Sequence, residues 1–135
     1  MARFVIDAGV ALRLASDGTM KIPAKHELLA PTLLRSQTLS RLHEAVQGGK
    51  LAQDVAREHL ARIQQLPVRL LGDAVLRRRA WEVATQLGWA ETYDAEYVAL
   101  TQLQADAFVT LDAKLARKVG ELVETATVEA IGAKR

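Results

Sequence analysis

The sequence contains no cysteine, which excludes a disulfide framework, a cysteine-ligated zinc or iron–sulfur site, and cysteine nucleophile chemistry. Long apolar runs are missing as well. No uncharged stretch approaches the ~20 residues that span a bilayer. Met1 to Asp7 reaches a carboxylate before the apolar core of a signal peptide can develop. The expectation is a cytoplasmic protein with no membrane association. There is neither an internal repeat nor a low-complexity linker, and 135 residues support one hydrophobic core, so a single domain over residues 1–135 is expected. A strong excess of one charge is also lacking: 18 Lys and Arg stand against 16 Asp and Glu. The basic residues are mostly Arg, whose planar fork suits phosphate, and this permits a nucleic-acid partner without demanding one. His26, His43 and His59 lack metal-ligand spacing and read as structural or exposed.

What is present is an alternation of short β-rich runs and helical patterns. Arg3-Phe4-Val5-Ile6 reads as a buried strand that stops at Asp7-Ala8-Gly9 and turns into a helix over Val10–Ala15. Ser16-Asp17-Gly18-Thr19 is turn chemistry. His26 to Ala30 is a second apolar stretch, and Pro31 suits the first turn of the helix that follows it, up to Gly48-Gly49. Leu51 to Gln65 reads as an amphipathic helix, Pro67–Leu71 as a strand, and Ala74–Leu87 as a helix closed by Gly88. After Thr92-Tyr93-Asp94 comes another apolar helical pattern. Ala107-Phe108-Val109-Thr110-Leu111 is the clearest buried strand, running into Asp112 and a helix over Ala113–Val119, with a last strand expected near Leu122–Val123 or Thr127–Val128. Strands alternating with helices predict a three-layer α/β domain with a mainly parallel sheet, which places ligands at the carboxyl ends of its strands.

Two of the clearest strands end in an aspartate, Asp7 and Asp112. A third, Asp94, opens an apolar helix and follows a hydroxyl at Thr92, as Asp112 follows Thr110. Each alone is explained as a helix cap. Together, carboxylates at the carboxyl ends of parallel strands converge on one cleft, where their repulsion is relieved by a hard divalent cation. Mg²⁺ or Mn²⁺ fits, since no His or Cys is placed to recruit a softer metal. Bound by Asp7, Asp94 and Asp112, such an ion activates water and stabilises charge on a phosphoryl group.

These residues resemble the PIN-domain ribonucleases, especially the VapC toxins of bacterial toxin–antitoxin pairs. Val5-Ile6-Asp7-Ala8-Gly9 is similar to the family's opening strand and first acidic residue. Thr92-Tyr93-Asp94-Ala95-Glu96-Tyr97-Val98-Ala99-Leu100 resembles the segment around its third, and Phe108-Val109-Thr110-Leu111-Asp112-Ala113-Lys114-Leu115-Ala116 the segment carrying its fourth. The resemblance implies a metal-dependent endoribonuclease acting on RNA, a small antitoxin whose tail occupies the groove, and a homodimer. It also implies that Thr110 and Thr92 orient carboxylates or water. One position departs: where the family carries a Glu, this chain has Gln37, whose carbonyl oxygen can still meet a metal or hold a water but which removes one negative charge. An alternative therefore stands beside the enzyme, a PIN-fold RNA-binding or protein-interaction module impaired in cleavage. Glu96, two residues after Asp94, is turned roughly 200° from it on a helix and is expected to point elsewhere. Glu44 lies farther along its helix and reads as solvated. Arg77-Arg78-Arg79, Lys114 and Arg117 read as surface charge within reach of a phosphate. Tyr93 and Tyr97 read as packing, with base stacking as the other use. A receiver-type acidic pocket is disfavoured, because Ala8-Gly9 stands where paired acids belong and the Pro67–Leu71 strand ends in Leu71-Gly72.

Overall fold

The computed structural model describes residues 2–18 and 20–134, so the readings at Met1, Thr19 and Arg135 lie outside the described residues. The elements follow the chain as β1 (Ala2–Ile6), α1 (Ala8–Ser16), β2 (Met20–Lys21), β3 (His26–Pro31), α2 (Leu33–Gln47), α3 (Gln53–Gln65), β4 (Val68–Leu71), α4 (Ala74–Leu87), α5 (Tyr93–Gln104), β5 (Ala107–Val109), α6 (Ala113–Val119) and β6 (Thr125–Ala126). A 3-10 turn at Val128–Ala130 and β7 (Ala133–Lys134) close the chain.

Five strands form one parallel sheet in the order β4-β3-β1-β5-β6. Val5 and Ile6 of β1, Leu28 and Leu29 of β3 and Phe108 and Val109 of β5 are all buried, which is why these strands read as unbroken apolar runs: a sheet covered on both faces has no polar side. The chain moves outward from β1 through β3 to β4, then returns past β1 to β5 and β6. The direction of connection therefore reverses between β1 and β5, and the crevice that such a reversal opens lies at their carboxyl ends. Helices α1, α2 and α3 pack on one another, while α4 packs on α5, which lies against β1, β3 and β5. Right-handed crossovers put these two groups on opposite faces, giving the three expected layers. Between α4 and the sheet, α5 buries Ala95, Tyr97, Val98, Ala99, Leu100 and Thr101, so it has almost no solvent side beyond its first turn.

Three details differ from the sequence reading. Pro31 ends β3 rather than opening α2. It pairs in register with Leu71 of β4, and β1 pairs with β3 only as far as Leu29, so the missing N–H of Pro31 interrupts no bond on that side. β5 stops at Val109, and the chain turns so that Thr110 can reach Asp7; Leu111, expected inside the strand, is 51% exposed. The last parallel strand is Thr125–Ala126, between the two expected positions. The antiparallel pair β2–β7 is too short to leave a sequence pattern. Gly88 closes α4 in the left-handed region at φ 70°, a conformation that a side chain disfavours.

Candidate active site

Asp7 and Asp112 are helix caps, and each is also more than a cap. Oδ1 of Asp7 accepts the N–H of Val10 at 3.0 Å at the start of α1, and Oδ1 of Asp112 accepts those of Lys114 and Leu115 at 3.0 and 3.1 Å at the start of α6. That leaves the second oxygens. Oδ2 of Asp7 accepts the hydroxyl of Thr110 at 2.6 Å, and the same hydroxyl oxygen accepts the N–H of Asp112 at 3.1 Å. Thr110 thus ties the end of β1 to the loop that carries Asp112. Thr110→Val keeps the shape and removes both bonds. It is expected to cost about 1–2 kcal/mol, read as a lower urea midpoint at unchanged slope.

Asp94 is not a cap. It stands in the first turn of α5, accepts no hydrogen bond among the described residues, and faces a cavity shared with Gln37, Trp89, Glu91, Asp112 and Lys114. Partial burial raises its carboxyl above the ordinary range, and the negative charges of Asp7 and Asp112 raise it further. Arg41 opposes the shift, and Glu91 adds to it. Three carboxylates delivered by two strand ends and a helix therefore share one field.

Gln37 reaches this site from α2. Its Oε1 accepts the hydroxyl of Tyr97 at 2.5 Å. Tyr97 is 1% exposed, so base stacking is ruled out for it, and its ring packs against Phe108. Burial first, and then the charge of Asp7, push its hydroxyl far above the usual phenol range, so it stays a donor at every physiological pH. Thr92 does not share the part of Thr110: it lines a separate groove with Arg77, Arg78, Trp81 and Glu96. Glu96 points there, as its spacing predicts. Burial raises its carboxyl and Arg77 lowers it. Among the basic candidates, Lys114 lines the acidic cavity, joined by Lys118, and Arg117 does not.

Sequence reasoning missed Arg41 and Glu91. Arg41 lies four residues after Gln37 on α2, a spacing that puts the two on one face and could have flagged it. Glu91 carried no signal, because the loop after Gly88 has no periodicity to place it.

Over 113 residues, 82% of this chain and 87% of the relative, the sequence is 34% identical to VapC ribonuclease Mb0985 of Mycobacterium bovis. It is similar to the same extent to Ribonuclease VapC9 of Mycobacterium tuberculosis strain H37Rv. The solved structure of PAE2754 from Pyrobaculum aerophilum superposes with a TM-score of 0.73 at 23% identity, covering 96% of this chain and 91% of the other, and shares the fold. No family model matches the chain.

Proposed function

The chain belongs to the VapC ribonuclease family, and from that membership we propose that it is a metal-dependent endoribonuclease, the toxin of a VapBC-type toxin–antitoxin pair. The observation that supports the metal is the gathering of like charge: after burial, the charges of Asp7 and Asp112 raise the carboxyl of Asp94, beside the crevice where the order of strand connection reverses. Among the described residues no three Asp, Glu or His side chains stand close enough to cage an ion. The donor set fits instead a hard ion that keeps several waters and takes one or two carboxylates. Asp94 and Asp112 line the cleft, and Asp7 carries the hydroxyl of Thr110 on its second oxygen. Held by Asp94 and Asp112, Mg²⁺ or Mn²⁺ would supply acidity to a bound water and offset charge on the phosphodiester. The protein's own part is to hold these oxygens still: Thr110 fixes the Asp7–Asp112 spacing, and Tyr97 fixes the amide of Gln37.

The alternative, a module impaired in cleavage, draws on the same bond, since a carbonyl oxygen held by Tyr97 is less free to meet a metal. A mixture of structured RNA with Mg²⁺ or Mn²⁺, beside an EDTA control and Gln37→Glu, separates the two. Metal-dependent cleavage by the natural chain is expected, with Gln37→Glu lowering the metal concentration for half-activity about tenfold. Cleavage by Gln37→Glu alone would favour the impaired module, and cleavage by neither would sink the nuclease. The family reading also carries a small antitoxin and a homodimer. Sedimentation of the purified chain, alone and with the antitoxin, tests both. No helix among the described residues is long and apolar enough to cross a membrane, and an RNA substrate places the work in the cytoplasm.

A further inference from the structure

Among the described residues four arginines are held by carboxylates, and Arg41 is not one of them. Arg3 and Arg69 pair with Glu27, Arg62 with Glu58 and Arg79 with Glu82, whereas among the described residues Arg41 forms no ion pair and donates no hydrogen bond. Yet it lies at the acidic site. A Cβ built on Gly9 would stand 3.4 Å from Nη1 of Arg41 and 3.6 Å from Oδ1 of Asp7, so the guanidinium passes over the glycine that follows the β1 carboxylate. Its charge is felt at both Asp94 and Tyr97. An exposed, unpaired guanidinium at the rim of a carboxylate cluster is a ready partner for a phosphate.

The residue one turn before it explains why it is free. A glutamate at position 37 would stand four residues N-terminal to Arg41, the favourable order for a helical ion pair, and would occupy the cation. The amide of Gln37 cannot. With one lone pair of its Oε1 taken by the hydroxyl of Tyr97, the amide still has an NH₂ to offer, a donor where a carboxylate would repel an anion. We infer that Arg41, together with the NH₂ of Gln37, forms a phosphate-binding edge for the RNA backbone along α2. The change at position 37 thereby trades metal affinity for substrate affinity. This inference rests on the ribonuclease reading for its ligand, and its test does not need cleavage.

The probe is a short fluorescein-labelled single-stranded oligoribonucleotide, followed by anisotropy in EDTA over a salt series with the full chain. Arg41→Ala is expected to weaken binding about tenfold and to lower the slope of log affinity against log salt by about 0.7, the share of one phosphate contact on a single strand. Arg41→Lys should restore the slope and part of the affinity, and Gln37→Glu should weaken binding in EDTA although it is expected to strengthen metal binding. With metal present, the loss in Arg41→Ala should fall on KM and leave kcat nearly unchanged. Matching thermal melts keep a folding defect apart from a lost contact. Wild-type affinity and slope in Arg41→Ala, or no RNA binding by the natural chain, would overturn the inference. Binding through Arg41 without cleavage would leave it standing and remove the nuclease. Cleavage with an unchanged KM in Arg41→Ala would do the reverse.

Discussion

Asp94→Asn is expected to abolish metal-dependent cleavage and at the same time to stabilise the metal-free protein. The loss of activity should be at least ~100-fold, beyond the 10–100-fold typical when only an outer partner of a metal ligand is removed. The gain in stability follows from the field at Asp94. Its carboxyl is raised above its ordinary value of 3.8 by burial and by the charges of Asp7 and Asp112. A raised carboxyl favours the folded state while protonated, and that contribution is lost as pH climbs through the raised value, so at neutral pH the ionised group opposes folding. Asparagine carries no such charge. Because Asp94 opens to the cleft, solvent screens much of the effect, and the gain should be on the order of 0.5 kcal/mol, a rise of about 2 °C in melting temperature. Melts in EDTA at neutral pH and again below pH 3.8 check the sign: the difference should be present in the first and vanish in the second. A lower melting temperature at neutral pH would contradict the shared field.

Phe108→Ala should give the largest loss of stability, about 3–5 kcal/mol against a total of about 5–15 for a domain of this size. Phe108 is fully buried in β5, with Val5 of β1 on one side and Thr125 of β6 on the other, and its ring centroid lies 6.3 Å from that of Tyr97. Removing the ring leaves a cavity beneath the side chain that holds Gln37. Equilibrium unfolding in urea measures the loss, and a cost below ~1 kcal/mol would mean that the core collapses around the vacancy. Phe108→Leu, which fills most of the volume, should cost less than half as much.

Much of this architecture was legible because its signals are local. The run Phe4-Val5-Ile6 before Asp7 announces a strand and a cap together. The helices Ala74–Leu87 and Ala113–Val119 begin and end where the sequence places them, since Asp73 and Asp112 cap their starts and Gly88 closes the first. Pro31 misled because proline suits both a helix start and a strand end, and only its pairing with Leu71 of β4 decides between them. Thr110 and Leu111 misled because apolar character does not show where a strand stops; the reach of Thr110 to Asp7 does. In the site, Asp7 and Asp112 stand out by their places after strands, and Asp94 by its place at the start of an apolar helix. What the sequence could not show was which side chains meet across the fold: the Tyr97–Gln37 bond joins residues 60 positions apart, and the approach of Arg41 to Gly9 depends on how α2 lies against the start of α1.

The bond from Thr110 to Asp7 spans 103 positions, and β5 enters the sheet beside the first strand of the chain. The order of synthesis follows from that separation. While the polypeptide emerges, Asp7 appears long before Asp94 and Asp112, and β1 keeps an open edge until β5 is released to fill it. Helices α1, α2 and α3 can form and pack before then, because their contacts with one another are closer in sequence. The acidic cluster cannot. A protein that cuts RNA would thus stay harmless while its first hundred residues are made, among the messenger and ribosomal RNA that produce it, and would acquire its active geometry only once β5 and Thr110 have joined β1.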